Sequence, residues 1–170
     1  IQAIRATVKL NKRQMAALET LYQRGVVRIM NNMWIIANPV AGGGKWETQR
    51  DEVMETLTPH FNITLKTTTK ECNGAVLAEQ ARQDGADIVV AGGGDGTVSE
   101  VASKLVGSNT KLAIIPLGTA NALCHALWGV TSKFASAESI CLDIIDGHST
   151  CIDTAQCNGK LMLLMTGIGL

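Results

Sequence analysis

The sequence has 170 residues, carries no net charge and is 46% apolar, with 17 glycines. This composition excludes a disordered or fibrous chain and fits an α/β protein whose core needs no disulfide or metal to stabilise it. No apolar run is longer than LMLLM at residues 161–165, which is too short to cross a bilayer, so we expect a cytoplasmic protein.

The first 32 residues form a basic extension. They carry six basic side chains and one acidic side chain, whereas the rest of the chain carries nine basic and fourteen acidic ones. Met15, Leu18 and Leu21 recur at helical spacing and predict a helix from about residue 12 to residue 24. Such a helix could lie on the inner face of an anionic membrane, or pack against the rest of the chain or a second copy of it. The acidic remainder argues against an extended nucleic-acid surface.

Strands and helices alternate from residue 33 to residue 145. The predicted strands are MWIIANP, FNITLKTTT, ADIVVAGG and KLAIIPLG. The predicted helices between and after them are WETQRDEVMETL, NGAVLAEQARQDG, GTVSEVASKLVG, ANALCHALWG and a stretch near SKFASAESICLDII. This alternation predicts βαβ units around a parallel sheet with helices on both faces, which is a three-layer α/β domain.

The pattern changes near residue 146. Asn158-Gly159 separates two strand-like runs, which predicts a two-residue hairpin turn and the start of a second, antiparallel domain over residues 146–170. Met162 and its neighbours are expected to form strand core rather than a lipid contact. Because the chain begins at Ile1 and stops inside a strand-like run, we expect that it is part of a longer protein and that the second domain is truncated.

Five cysteines occur, at positions 72, 124, 141, 151 and 157. None of them forms a C-x-x-C pair, and no histidine stands at metal-ligand spacing from them. We expect reduced and mostly buried thiols rather than a disulfide or zinc framework.

Three glycine-containing turns follow three of the predicted strands, and each stands directly before a helix. They are NPVAGGGK at residues 38–45, GGGDGT at residues 92–97 and PLGTAN at residues 116–121. In open α/β sheets such turns meet at the carboxyl edge of the sheet, where ligands bind. Turns without side chains let backbone N–H groups approach phosphate oxygens, and the following helix adds the positive end of its dipole. One such turn could be only a tight connection, but three together predict a phosphate site.

Neither common phosphate signature fits these turns. Asp95 stands where a Rossmann turn needs a small residue, and Lys45 is followed by Trp46 rather than by the Ser or Thr of a P-loop. In order and spacing the three turns instead resemble the three signatures of the diacylglycerol kinase catalytic domain, in the bacterial lipid kinase branch that is related to sphingosine kinases and NAD kinases. The resemblance runs from about residue 33 to the end of the chain. Residues 146–170 are similar to the first strands of that family's second domain, a β-sandwich.

The resemblance implies an ATP-dependent kinase that transfers the γ-phosphate to a lipid hydroxyl, first of all that of diacylglycerol, with Mg²⁺ as the cation. A lipid substrate at a membrane surface is the implied partner, and a homodimer stays an open alternative. Two other functions also stay open. One is a nucleotide-binding fragment without turnover, because the family places further catalytic and metal-binding groups in the remainder of the second domain. The other is an NAD kinase-like enzyme, although the PLGTAN turn favours the lipid branch.

The resemblance also implies which residues surround the nucleotide phosphates. They come from the three turns and from the threonine cluster at residues 67–69: Asn38, Pro39, Val40, Ala41, Gly42, Thr68, Gly93, Gly94, Asp95, Gly96, Thr97, Val98, Ser99 and Thr119. Strand alternation by itself does not exclude Thr67 or Thr69 in place of Thr68. Asn38 is equally consistent with an Asx turn before proline, and Thr97 and Thr119 are also consistent with helix caps.

Asp95 is the expected catalytic residue. A carboxylate beside the transferred phosphate could hold Mg²⁺, directly or through water, or take the proton from the acceptor hydroxyl, and phosphoryl transfer can use either role. The sequence does not separate these roles and assigns no other metal ligand. The alternative for Asp95 is an N-cap of the following helix. Glu100, one turn further along, is expected either to brace the turn or to face solvent.

Three positions depart from the family's pattern. His125 stands where arginine is expected, Ala122 where aspartate is common, and Ser99 where asparagine is frequent. Lys45 is as consistent with a solvated lysine as with a phosphate ligand, because it lies outside a recognised P-loop. The departures concern the acceptor side of the predicted site more than its nucleotide side.

Overall fold

The computed structural model describes residues 30–129 and 136–163, together with Lys12, Ala16 and Thr20. The chain divides into two compact units, Ile1–Met30 and Asn31–Leu170. In the first unit Lys12, Ala16 and Thr20 are helical, and the Thr20 hydroxyl donates to the Ala16 carbonyl at 2.9 Å. The rest of the helix predicted over residues 12–24, and the strand-like run after it, lie outside the described residues.

The second unit alternates strands and helices. Its parallel sheet contains β1 (Asn32–Ala37), β2 (Asn62–Thr67), β3 (Ile88–Gly93) and β4 (Lys111–Pro116). Its helices are α1 (Lys45–Leu57), α2 (Gly74–Gln83), α3 (Asp95–Leu105), α4 (Ala122–Trp128) and α5 (Ala137–Asp146), and a 3₁₀ turn over Ala41–Gly43 precedes α1. None of the described helices is long and apolar enough to cross a membrane.

The sheet has the strand order β2-β1-β3-β4, and every neighbouring pair is parallel. In the register of the central strands, Ile35 of β1 lies beside Leu65 of β2 on one side and Val90 of β3 on the other. The chain passes from β1 outward to β2 and then crosses to β3 on the opposite side of β1. The carboxyl ends of β1 and β3 therefore flank a topological switch point, the place where open α/β sheets bind ligands.

Both faces of the sheet are covered, which is why its strands are continuously apolar. Met33 and Ile35 of β1 point to the face covered by α1 and α5, where Trp46 is fully buried. Trp34 and Ile36 point to the opposite face, which is covered by α2, α3 and α4. The prediction of a three-layer parallel-sheet domain is confirmed.

A hairpin follows the sheet domain and contains β5 (Ala155–Cys157) and β6 (Lys160–Met162). Cys157 pairs with Lys160 across the turn, where Asn158 and Gly159 have φ angles of 50° and 74°. Two successive positive φ angles are the mark of a type I′ turn, so the two-residue hairpin turn is confirmed. The proposed boundary at residue 146 between two domains stays a prediction.

The cysteine prediction is wrong in one respect. All five thiols are free, but only Cys124 and Cys141 are buried. Those two occupy the inward faces of α4 and α5. Cys72 lies in a loop and packs against the core only in part, Cys157 is partly buried in the hairpin, and Cys151 is exposed.

Candidate active site

The three glycine-containing turns meet at the carboxyl edge of the sheet and touch each other directly. A Cβ atom on Gly118, in the third turn, would lie 2.5 Å from the Cα atom of Gly94, in the second. A Cβ atom on Gly42, in the first turn, would overlap the carbonyl oxygen of Leu117 in the third. Gly42 also has a φ angle of 58°, which side chains disfavour. The absence of side chains is therefore what lets the three backbones close into one site.

Asn38 links the first turn to the second. Its Oδ1 atom accepts a hydrogen bond from the Val40 N–H at 3.1 Å, and its Nδ2 atom donates to Oγ1 of Thr97 at 3.2 Å. The bond to Val40 is the Asx turn that was one alternative for Asn38, and the bond to Thr97 joins this turn to the second. Thr97 is 7% exposed and packs beneath Gly93, where a Cβ atom would lie 2.6 Å from its hydroxyl oxygen.

Asp95 does not cap its own helix. It is the first residue of α3, whose N-cap is Gly94, and its Oδ1 atom accepts a hydrogen bond from the Leu123 N–H at 3.3 Å. Leu123 lies in the first turn of α4, so Asp95 supplies an acceptor to the neighbouring helix. The carboxylate therefore stands between the starts of two helices, where exposed N–H groups favour a negative charge.

Asn121 explains why α4 takes its acceptor from Asp95. It is the N-cap of α4 but has a left-handed backbone with a φ angle of 46°, and its side chain makes no cap bond. Instead, Nδ2 donates to the Gly118 carbonyl at 2.7 Å, and Oδ1 is buried without a partner among the described residues. Asn121 is only 4% exposed and was not predicted as a site residue. The signal for it was weak: asparagine is one of the few residues that tolerate this backbone conformation.

A cleft of about 620 Å³ opens beside Asp95. One wall is formed by the first turns of α3 and α4, with Asp95, Gly96, Val98, Ser99, Ala122 and Leu123. The opposite wall is the hairpin, with Cys157, Asn158, Lys160, Leu161, Met162 and Leu163. Among these lining residues Asp95 carries the negative charge and Lys160 carries the positive charge. An amphipathic molecule with a hydroxyl group would find both polar and apolar contacts in this cleft.

The hairpin wall was not predicted. Met162 was expected to be strand core, but it is only partly buried and lines the cleft. The reason is that β5 and β6 form a two-stranded sheet of their own, so one side of Met162 stays uncovered within the described part of the chain. Leu163 packs against the core formed by α2, α3 and α4, which holds the hairpin beside α3.

The threonine cluster lies just beyond the carboxyl end of β2. The backbone N–H of Thr68 donates to the Ala37 carbonyl at 2.9 Å, which places Thr68 beside the first turn. The Thr69 hydroxyl oxygen accepts from two backbone N–H groups of the following turn, at 3.0 and 3.2 Å. Thr67 pairs with Ala37 at the end of the strand. Thr67 and Thr68 therefore both lie beside Ala37, and the choice of Thr68 stays a prediction.

The structure changes the interpretation of the other predicted residues. Thr97 is the third residue of α3 and the α4 cap has no side-chain bond, so the helix-cap alternatives for Thr97 and Thr119 are wrong. Thr119 is exposed in the third turn.

The apolar residues of the predicted set differ in exposure. The Val98 side chain is buried in the core and leaves only backbone atoms for a ligand, whereas Val40 is 78% exposed in the first turn. Pro39 and Ala41 flank it and are partly buried.

The Cys124 thiol lies near Asp95 on the inner side of α4. Burial, and secondarily the negative charge of Asp95, raise the pKa of Cys124 to about 11. The thiol is therefore neutral at physiological pH and does not compete with Asp95 as a charged group.

A divalent cation at this site would depend on ligand oxygens. No group of three or more His, Cys, Asp or Glu residues that could hold a metal occurs among the described residues. Mg²⁺ is commonly held by one or two carboxylates together with substrate phosphates and water. Asp95 lines the cleft and could supply the carboxylate of such a site, with phosphate oxygens and water as the other ligands.

Comparisons with known proteins agree on the family. The sequence profile of the diacylglycerol kinase catalytic domain matches residues 32–157. The chain is 39% identical over 146 residues to the uncharacterized protein sll0036 of Synechocystis, which covers 79% of this chain and 33% of that protein. It is 36% identical over 122 residues to a "Probable lipid kinase YegS-like" of Klebsiella pneumoniae, which covers 70% of this chain and 40% of that protein.

A solved structure of a diacylglycerol kinase from Bacillus anthracis superposes with a TM-score of 0.66 at 28% identity, over 81% of this chain and 47% of that one. The chain thus spans between a third and a half of the length of the proteins it matches. Because the profile match covers most of the chain and includes all three turns, the protein is a member of the diacylglycerol kinase catalytic domain family.

Proposed function

We propose that the protein containing this chain is an ATP-dependent lipid kinase that phosphorylates the free hydroxyl of diacylglycerol. The observation that carries the proposal is the position of Asp95. Its carboxylate stands on the second of three turns whose backbones touch, and it lines a cleft whose opposite wall includes Leu161 and Met162. A phosphate donor and an amphipathic acceptor can therefore approach the same carboxylate from two sides.

The turns bind and orient the phosphates of the nucleotide. Gly42, Gly94 and Gly118 bring the backbones of the three turns within contact distance, and Asn38 fixes the first to the second. ATP would supply the transferred γ-phosphoryl group, and Mg²⁺, when held by Asp95, would neutralise part of its charge. Phosphoryl transfer requires chiefly positioning and charge stabilisation, which a rigid set of backbone N–H groups provides.

The cleft positions the acceptor. The lipid hydroxyl lies beside Asp95, while the glycerol and the first carbons of the acyl chains contact Leu161 and Met162 on the hairpin. In the reaction the hydroxyl oxygen bonds to the γ-phosphorus, the bond to the leaving ADP oxygen breaks, and the hydroxyl proton passes to a base. Asp95 either takes that proton or would help to hold the cation, in which case an oxygen of the transferred phosphoryl group takes the proton.

Transfer of labelled phosphate from [γ-³²P]ATP tests the proposal. The 170-residue chain and the longer protein are each assayed with diacylglycerol in phospholipid micelles and, separately, with NAD. We expect labelled phosphatidic acid from the longer protein and ATP binding by both. Label on NAD would favour the NAD kinase alternative, and ATP binding without transfer by the longer protein would favour a binding module.

The basic extension suggests how the enzyme reaches its substrate. Its cationic residues are Arg5, Lys9, Lys12, Arg13, Arg24 and Arg28, with Glu19 as its single acid. Each basic residue near an anionic leaflet contributes about 1 kcal/mol, so such a segment supports reversible binding at the inner membrane face. The chain is expected to co-sediment with phosphatidylglycerol vesicles at low salt and to dissociate as salt rises. Equal sedimentation after deletion of residues 1–25 would contradict this role.

A further inference from the structure

The loop between β2 and α2, residues 68–73, is anchored at both ends to elements that carry the phosphate turns. At its start the Thr68 N–H donates to the carbonyl of Ala37, the last residue of β1. At its end the Gly74 N–H donates to Oε2 of Glu100 at 2.9 Å. Glu100 lies on α3, the helix that begins with Asp95.

The bond from Gly74 to Glu100 meets a specific need of α2. The first four N–H groups of a helix have no partner within it. The Asn73 side chain, at the N-cap, accepts from the Val76 N–H at 3.1 Å. Gly74 is the first residue of α2, and its N–H is satisfied by a carboxylate from another helix. Hydrogen bonds to a charged partner are stronger than those between neutral groups.

Glycine at position 74 lets the two helices approach closely. A Cβ atom there would lie 3.0 Å from Oε2 of Glu100 and 3.2 Å from Cγ2 of Val101. Both distances are shorter than ordinary van der Waals contact, so a larger residue would require these side chains to shift by a few tenths of an ångström. Gly74 and Glu100 thus form a matched pair, which we name the α2–α3 clasp.

We infer that Glu100 is a positioning residue of the nucleotide site, and the inference rests on the proposed function. Through the α2–α3 clasp it holds the loop that carries Thr68 in a fixed position relative to Asp95. Because Asp95 and Glu100 belong to one helix, the clasp makes the threonine loop and the catalytic turn a single rigid unit. Glu100 acts through the loop and not by contact with the nucleotide.

Two measurements on the 170-residue chain test the clasp: ATP affinity by calorimetry and hydrogen exchange of the backbone amides of residues 68–76. Glu100→Ala should accelerate exchange in this segment and weaken ATP binding about tenfold, since it removes a hydrogen bond to a charged acceptor. Glu100→Gln should keep both the slow exchange and the ATP affinity close to those of the unmodified chain, because its amide oxygen can accept from the Gly74 N–H. Glu79→Ala is the matched control: Glu79 is bonded within α2, to Arg82 and Gln83, and its loss should change neither property.

Unchanged exchange in Glu100→Ala would overturn the clasp. Glu100→Gln binding ATP as weakly as Glu100→Ala, with loop exchange restored, would show that the charge acts on the ligand and would also overturn it. Should Glu100→Ala fail to fold, Glu100→Asp gives the same test because the shorter side chain moves the carboxylate away from the Gly74 N–H, with accelerated exchange and weaker ATP binding expected and unchanged values overturning the inference. Absence of ATP binding by the unmodified chain would count against the proposed function, while exchange in the variants would still decide whether Glu100 holds the loop.

Discussion

The two walls of the cleft are built in different ways. The wall that contains Asp95 is formed by the first turns of α3 and α4, and it rests on glycine-containing turns whose backbones touch and are joined by hydrogen bonds. The hairpin wall is made of side chains on two strands of three residues each, most of them partly or fully exposed. The shape of the first wall therefore depends on the absence of side chains, and the character of the second depends on which side chains are present. Substitutions at the glycines of the first wall should lower the stability of the fold. Substitutions in the hairpin wall should instead lower the affinity for the ligand.

The largest expected effect is at Asp95. Asp95→Asn removes the charge but keeps an oxygen that can accept from Leu123, so the fold should stay nearly intact. Loss of one such electrostatic contributor typically lowers the rate about a hundredfold or more. The measurement is labelled-phosphate transfer to diacylglycerol by the longer protein, with thermal unfolding as the check on folding. Turnover near that of the unmodified enzyme would remove Asp95 from the catalytic role.

Gly118→Ala tests whether the first wall depends on backbone contact. The added Cβ atom would lie 2.5 Å from the Cα atom of Gly94 and 2.8 Å from Oδ1 of Asn121. Overpacking of this kind costs about 1–3 kcal/mol of unfolding free energy, measured by urea denaturation. Gly96→Ala is the matched control: nothing lies within 4 Å of its Cβ position, and alanine favours the helix by about 0.5–1 kcal/mol. Equal stability of the two variants would contradict this account of the first wall.

Alkaline pH should weaken the fold through its two buried thiols. Burial is the main cause that raises the pKa of Cys124 and of Cys141 from 9.0 to about 11, with Asp95 and Glu52 as the respective second causes. Between pH 9 and pH 11 the folded chain keeps these protons while the unfolded chain loses them. The free energy of unfolding is therefore expected to fall across this range, and the thiols' contribution is fully present below pH 9.

Urea unfolding at pH values from 8 to 11 measures this dependence. The free energy of unfolding of Cys124→Ala should fall less steeply with rising pH than that of the unmodified chain. The control is Cys151→Ala, which removes an exposed thiol and should keep the original slope. Parallel slopes for all three proteins would mean that the buried thiol does not titrate as described.

Leu161→Ser probes the hairpin wall. Leu161 is partly buried and lines the cleft, so its loss should leave ATP affinity unchanged and raise the KM for diacylglycerol. A partly buried leucine contributes about 1 kcal/mol of apolar contact, or roughly fivefold in KM. Steady-state kinetics of the longer enzyme at varied surface concentration of diacylglycerol give this value. An increase in the KM for ATP instead would show that the two walls do not serve separate substrates.

Thr119→Val is the corresponding change on the nucleotide side, and its expected effect is as small as that of Leu161→Ser. Thr119 is exposed in the third turn and caps no helix, so its hydroxyl is available to a phosphate. Loss of one hydrogen bond weakens ATP binding by about 1 kcal/mol. Calorimetry with ATP measures it. An affinity equal to that of the unmodified chain would leave Thr119 outside the nucleotide site.

Local signals in the sequence predicted most of the fold. Continuous apolar strands gave the parallel sheet, and Asn158-Gly159 gave the hairpin turn, because each feature is encoded within a few residues. The three turns were predicted to share one edge because the carboxyl ends of parallel strands lie together. What could not be predicted depends on contacts between distant residues, such as Asp95 with Leu123 and Glu100 with Gly74. The hairpin was identified, but its place opposite Asp95 follows from tertiary packing that no short pattern specifies.

The bond between Asp95 and Leu123 ties two events that would otherwise be independent. A carboxylate that turns toward a cation or a substrate hydroxyl weakens its support of α4, a helix of seven residues whose end exposes Leu127 and Trp128. Occupancy of the cleft and the order of this helix then influence each other, and by thermodynamic reciprocity any contact that steadies α4 alters the affinity for the ligand by the same factor. A ligand that engages Oδ1 would compete with the Leu123 N–H for that atom, and the order at the distal end of α4 is then expected to respond.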